Sequence, residues 1–141
     1  SNGFQVLGNG NCQNTNNSYG AISDVKLKEN IAAAPSYWDK FKQYEFVNYT
    51  LIADPEKRKM LGLIAQQAEK VSQGVVEIQP DYEEVKGIDD SGEITIQRNP
   101  IGTFTKSVKY SIVTLQAEVV LQEAQRRIEE LEQRLVALES K

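Results

Sequence analysis

The chain has 141 residues, 40% of them hydrophobic and 26% charged, with a net charge of −4. That acidic balance works against a surface built to neutralise nucleic-acid phosphates, which takes clustered Lys and Arg, and no apolar run approaches the ~20 residues of a membrane span. With no histidine and a single cysteine there is no zinc-ligand set and no internal disulfide, so no metal, cofactor, nucleic acid or membrane is expected.

The size suits one modest domain with appendages. Residues 1–22 are rich in Asn and Gly and nearly free of charge, with no helical period. They read as the end of a preceding β-rich domain or a linker from it, with Cys12 as a structural thiol. Charge density rises at Asp24, which places a boundary there. The expected division is 1–22, then a folded body over 23–110, then a terminal helix over 111–141.

The one constellation with catalytic chemistry is Ser23-Asp24-Val25-Lys26-Leu27-Lys28. A serine hydroxyl becomes a nucleophile when a base removes its proton, and a lysine amine is such a base when a dry or cationic setting favours its neutral form. The plainer reading is that Ser-Asp caps a helix and Lys28 is a solvated side chain. Asp24 is a good N-cap, and Val25–Ala34 is expected to form a short helix stopped by Pro35. A straight helix would set Ser23 and Lys28 about 140° apart. The pair meets only if Ser23 precedes the helix in extended backbone and folds back, or if its partner comes from another subunit.

Ser36 with Asp39 resembles a capping box for a second helix through Trp38, Phe41 and Tyr44, an aromatic cluster expected in the core. Tyr44–Leu51 alternates and is expected as a strand, followed by a turn at Asp54–Lys57. Met60–Ile64 reads as a short buried strand and Ala65–Val71 as a helix. Gly62 there is read as permitting close packing, since no Gly-rich loop surrounds it. From Val75 to Val108 the pattern is β, with strands at Val75–Ile78, Tyr82–Val85, Gly92–Ile96 and Phe104–Tyr110. Turns are expected at Asp89–Gly92 and Asn99–Gly102. Few large apolar residues occupy these strands, so the hairpin needs another surface to lie on.

The last thirty residues carry Leu121, Ala124, Ile128, Leu131, Leu135 and Leu138 at alternating spacings of three and four, an a/d seam. Arg127 and Arg134 fall at g, Glu132 and Glu139 at e. Parallel chains would therefore form Arg127–Glu132 and Arg134–Glu139 pairs between neighbours. Packing of this helix on its own domain is the competing explanation. The seam residues leave two or three strands open.

The stretch SDVKLKENI (23–31) resembles the S-D-x-R-x-K-x-x-I signature of the peptidase S74 family, with Lys26 where Arg is usual. Gly62, Ile64, Ala65 and Gln66 follow that family's G-x-I-A-Q-E-V landmark, with Gln67 and Ala68 departing. Ser107–Ser111 is similar to its V-D-Y motif, with Lys109 in place of the acid. These are C-terminal intramolecular chaperones of phage tailspikes, tail fibres and neck appendages. The resemblance implies an α+β fold: a small mixed helix/strand domain, a protruding β-hairpin arm over about 75–108, and a long C-terminal helix in a parallel trimeric coiled coil. It further implies a homotrimer that registers an upstream β-rich fibre domain of the same polypeptide. Ser23 and Lys28 would then cut the chain beside Ser23, at the Ile22–Ser23 or the Ser23–Asp24 bond, with Asp24 and Lys26 in support. The expected setting is a virion precursor assembled in the host cytoplasm, the chaperone leaving after cleavage. Two other readings remain: a trimeric fibre-tip attachment module that is never cut, and the cleavage-trimerisation module of a membrane-tethered transcription factor. The chain's end at Lys141, soon after the seam, fits a fibre terminus better.

Overall fold

Three separate antiparallel strand pairs, short helices and one 30-residue helix make up the regular structure. The computed structural model describes residues 3–141. The fold is mixed α+β, in two compact units that meet in sequence at Ala33 and Ala34.

In the first unit, β1 (Phe4–Val6) pairs with β2 (Cys12–Asn14). Gly10, at φ +86°, and the Asn9 side chain, which accepts from the Asn11 N–H at 3.0 Å, close the connecting turn. The strands are exposed and Cys12 is a free, exposed thiol rather than a structural one. The helix expected over Val25–Ala34 does not form. Only a 3-10 turn at Val25–Leu27 is present, and Asn30 sits at φ +52°. Val25, Leu27 and Ile31 are all exposed within the chain, so a ten-residue helix would have no surface to pack on. Isolated helices of that length are marginal in water.

The second unit holds the core: Tyr44, Leu63, Ala68, Val75 and Val113, with Phe41, Val71, Val76 and Val108 packed around it. The expected second helix is one turn, α1 (Trp38–Phe41), and Tyr44 lies beyond it as a buried core residue. The next strand is shorter than its alternation implied: β3 is Val47–Tyr49, paired with β4 (Met60–Gly62). Met60 and Leu61 are exposed, so β4 is a half-covered edge, not a buried strand. The connection turns at Asp54, whose carboxylate accepts from the N–H groups of Glu56 and Arg58. Helix α2 (Ala65–Val71) has the expected bounds.

Strands β5 (Val76–Ile88) and β6 (Ile94–Val108) form one long hairpin in place of four short strands. Asn99–Gly102 is not a turn between strands. The register jumps from Pro80↔Phe104 to Tyr82↔Pro100, leaving Asp81 opposite Ile101–Thr103 in a bulge with Gly102 at φ +83°. Asp81 accepts from Thr103 Oγ1 at 2.7 Å and Thr105 Oγ1 at 2.6 Å, which lowers its carboxyl below the ordinary range. Nearly every hairpin residue is exposed. β6 ends at Val108, and Tyr110 opens α3 (Tyr110–Glu139) instead of closing the strand. Among the described residues no helix is long and apolar enough to cross a membrane.

Candidate active site

The residues around Ser23 fold back on themselves because the turn is tight and its flanks are extended. Asp24 is extended (φ −67°, ψ 137°), and its Oδ1 accepts the Lys26 N–H at 2.9 Å, capping the turn. The N–H groups of Leu27 and Lys28 donate to the carbonyls of Asp24 and Val25, both at 3.1 Å. Lys28 leaves the turn in extended backbone (φ −124°, ψ 144°). With Ser23 before the turn and Lys28 after it, Lys28 Nζ donates to Ser23 Oγ at 2.5 Å. Of the two geometries open to the sequence, the chain adopts the first: the pair meets within one subunit, without a helix between. Lys26 Nζ lies 3.8 Å from Asp24 Oδ2, a solvated pair.

Ser23 and Lys28 are both exposed in the single chain, and so are the apolar neighbours Ile22 (87%), Val25, Leu27 and Ile31. For Lys28 to take the Ser23 proton, the hydroxyl must donate to an uncharged amine, a state that a dry surrounding favours. The geometry of the dyad is present in the isolated chain, whereas a dry enclosure is not.

Residues 23–77 match the family model Peptidase_S74, described as chaperone of endosialidase. No curated protein matches the chain. The S74 segment opens on Ser23 itself and ends at Glu77, in the second residue of β5. It supports a chaperone-type role and a possible self-cleaving activity.

Inside the S74 segment, Gly62 behaves as the sequence implied, and the structure names what it admits. A Cβ there would run into the Tyr110 hydroxyl and lie 3.2 Å from the Tyr49 ring. The Tyr110 hydroxyl also accepts the Leu63 N–H at 2.8 Å. The two downstream landmarks, separate in sequence, are therefore one contact between β4 and the first residue of α3. Beneath it, the Tyr44 hydroxyl donates to buried Gln116 Oε1 at 2.7 Å, and burial pushes the Tyr44 phenol up from its ordinary value.

The seam residues Leu121, Ile128, Leu131, Leu135 and Leu138 are each more than half exposed, and Ala124 is half-buried. The same helix buries Val113 and Gln116 against its own core. Its first turns thus pack on the domain, and its later turns leave an apolar stripe open. Sequence reasoning missed a polar cluster where these regions meet. Ser36 Oγ donates to Glu123 Oε2 at 2.5 Å, Arg127 Nη2 donates to Glu123 Oε1 at 2.6 Å, and the Arg127 guanidinium lies 4.0 Å from the centroid of the Trp38 ring. The Ser36 hydroxyl and, next, Arg127 hold the Glu123 carboxyl below its ordinary value. The available signal was the i,i+4 spacing of Glu123 and Arg127.

Proposed function

We propose that the chain is a homotrimeric intramolecular chaperone that registers an upstream β-rich fibre domain of a phage tail or appendage and then cuts itself free beside Ser23. The observation that carries the reading is the 2.5 Å approach of Lys28 Nζ to Ser23 Oγ at the opening of the S74 segment. The exposed seam on α3 supports association. Covering five Leu or Ile side chains at roughly 1.5–3 kcal/mol each is an upper bound of about 8–15 kcal/mol per chain. Exposed ion pairs at ~0.2–1 kcal/mol add little to that total and serve alignment. The long hairpin, with Ile78, Tyr82, Ile88, Ile94, Ile96 and Phe104 exposed, is the proposed arm that holds the upstream fibre.

In this mechanism, association of three α3 helices brings the upstream chains together, sparing them the closure entropy of finding one another. Folding of the fibre then encloses the dyad and the apolar residues around it, which favours the uncharged amine. Lys28 Nζ takes the Ser23 hydroxyl proton as Oγ attacks the Ile22 carbonyl carbon through a five-membered ring. The Ile22–Ser23 C–N bond breaks, the proton goes to the departing Ser23 nitrogen, and water hydrolyses the resulting ester. For cleavage at Ser23–Asp24 the nucleophile is a water that gives its proton to uncharged Lys28 as it attacks the Ser23 carbonyl carbon; the C–N bond breaks and the proton passes to the departing Asp24 nitrogen. Departure of the template makes the folded fibre kinetically trapped.

The capping bond from the Lys26 N–H to Asp24 favours a second reading, an uncut trimeric fibre tip in which this motif only shapes a turn. Denaturing gels of the chain with its upstream residues attached separate the two. Wild type is expected to yield two fragments, and Ser23→Ala and Lys28→Ala are each expected to remain full length. Full-length wild type under folding conditions would sink the protease reading.

A further inference from the structure

Arg127 stands at a g position of the seam, where heptad logic assigns it to Glu132 of a neighbouring chain. Within its own chain it already has two partners of better quality. The Glu123 carboxylate, with its side chain only 15% exposed, receives the guanidinium at 2.6 Å, and Arg127 Cζ lies over the Trp38 ring, 4.0 Å from its centroid. A cation over an aromatic ring suits Arg in particular, because its cation is delocalised and weakly hydrated. Glu123 in turn accepts the Ser36 hydroxyl, and Ser36 Oγ accepts the Trp38 N–H at 3.3 Å. An exposed interchain pair with Glu132 would have to break this partly desolvated set in exchange for ~0.2–1 kcal/mol.

We propose that Ser36, Trp38, Glu123 and Arg127 form an intrachain clamp that fastens the segment following the dyad to the associating helix, making Arg127 a positioning residue for self-cleavage and leaving interchain register to Arg134 and Glu139. The cleavage part rests on the function proposed above. Ser36 follows Lys28 by eight residues, whereas the next buried anchor, Tyr44, follows it by sixteen. An open clamp therefore doubles the tether between the dyad and the trimer core. Effective concentration falls with about the −3/2 power of tether length, so cleavage slows roughly threefold.

Trp38 is the sole tryptophan, so its fluorescence reads the clamp directly and independently of cleavage. In the full chain, Arg127→Ala is expected to change Trp38 emission, leave the trimer intact by sedimentation, and slow cutting of the upstream-extended chain about threefold. Arg127→Lys, which keeps the charge but not the delocalised guanidinium, is expected to fall between. Unchanged Trp38 emission in Arg127→Ala would overturn the clamp. So would loss of the trimer that is restored by the charge swap Arg127→Glu with Glu132→Arg, since that result assigns Arg127 to its neighbour. If wild type is never cut, the positioning role falls with the protease reading, while emission and sedimentation still decide the clamp.

Discussion

A serine and a lysine five residues apart meet because Asp24 holds a single tight turn between two extended residues. Lys26, where S74 sequences commonly carry Arg, makes only a solvated 3.8 Å contact with Asp24, so the planar fork it lacks is not used in the isolated chain. The carboxylate whose titration bears on the Trp38 contact is Glu123. Its folded-state pKa is depressed by Ser36 and Arg127, with Arg126 adding to the same effect and Glu130 facing the same surface cleft. A depressed carboxyl contributes stability that is present above its ordinary pKa and is lost as pH falls through the folded value. Trp38 emission is therefore expected to hold steady from neutral pH through the ordinary carboxylate range and to shift only in stronger acid. In Glu123→Gln that acid transition should disappear. An acid shift that survives Glu123→Gln would assign it to another group. None of this was legible from Ser36 and Trp38, which read as a helix cap and a core aromatic. Their partners are 87 and 89 residues away in the chain, and only packing brings them together.

At the scale of elements, the sequence was most reliable where a segment is covered on one side by its own domain. Ala65–Val71 forms as a helix with the expected bounds, and Ala68 is buried in it. Val25–Ala34 had comparable helical credentials and stayed a turn, because Val25, Leu27 and Ile31 find no surface within the chain. Asn99–Gly102 carried turn chemistry, yet Gly102 uses its positive φ to build a bulge within β6. The same backbone freedom serves both purposes, and pairing with β5 decides between them. The contact between β4 and α3 yields a test. In Gly62→Ala, crowding against the Tyr110 hydroxyl and the Tyr49 ring costs about 1–3 kcal/mol, against a gain of about 0.4–1 kcal/mol from a stiffer unfolded chain. A net loss of about 1–2 kcal/mol is expected as a lowered Tm, partly recovered in Gly62→Ala with Tyr110→Phe. An unchanged Tm would mean that the two landmarks do not bear on one another.

For the whole molecule, five buried hydrophobic residues form the core among the described residues, while the exposed large hydrophobics run through both hairpin strands and down α3. So small a core makes folding dependent on what the exposed surface meets. Midpoints of thermal unfolding are expected to rise with protein concentration, as they do when subunits bind the folded state. In the proposed trimer, Leu131→Asp would remove roughly 1.5–3 kcal/mol of burial from each of three chains and set three carboxylates in the seam. Association is expected to weaken by at least about a thousandfold, and the concentration dependence of Tm should vanish. A variant that still sediments as wild type would move the interface off this stripe.

Heptad spacing, the helix at Ala65–Val71 and the Asp24 cap between Ser23 and Lys28 were present in the order of residues alone, because each depends on neighbours within about one or two turns of chain. The role of Tyr110 over Gly62, the bulge at Asp81 and the joining of Ser36 and Trp38 to Glu123 and Arg127 were settled by tertiary structure. Those contacts depend on which surfaces cover one another, and a local pattern of residue types carries no information about a partner many residues away.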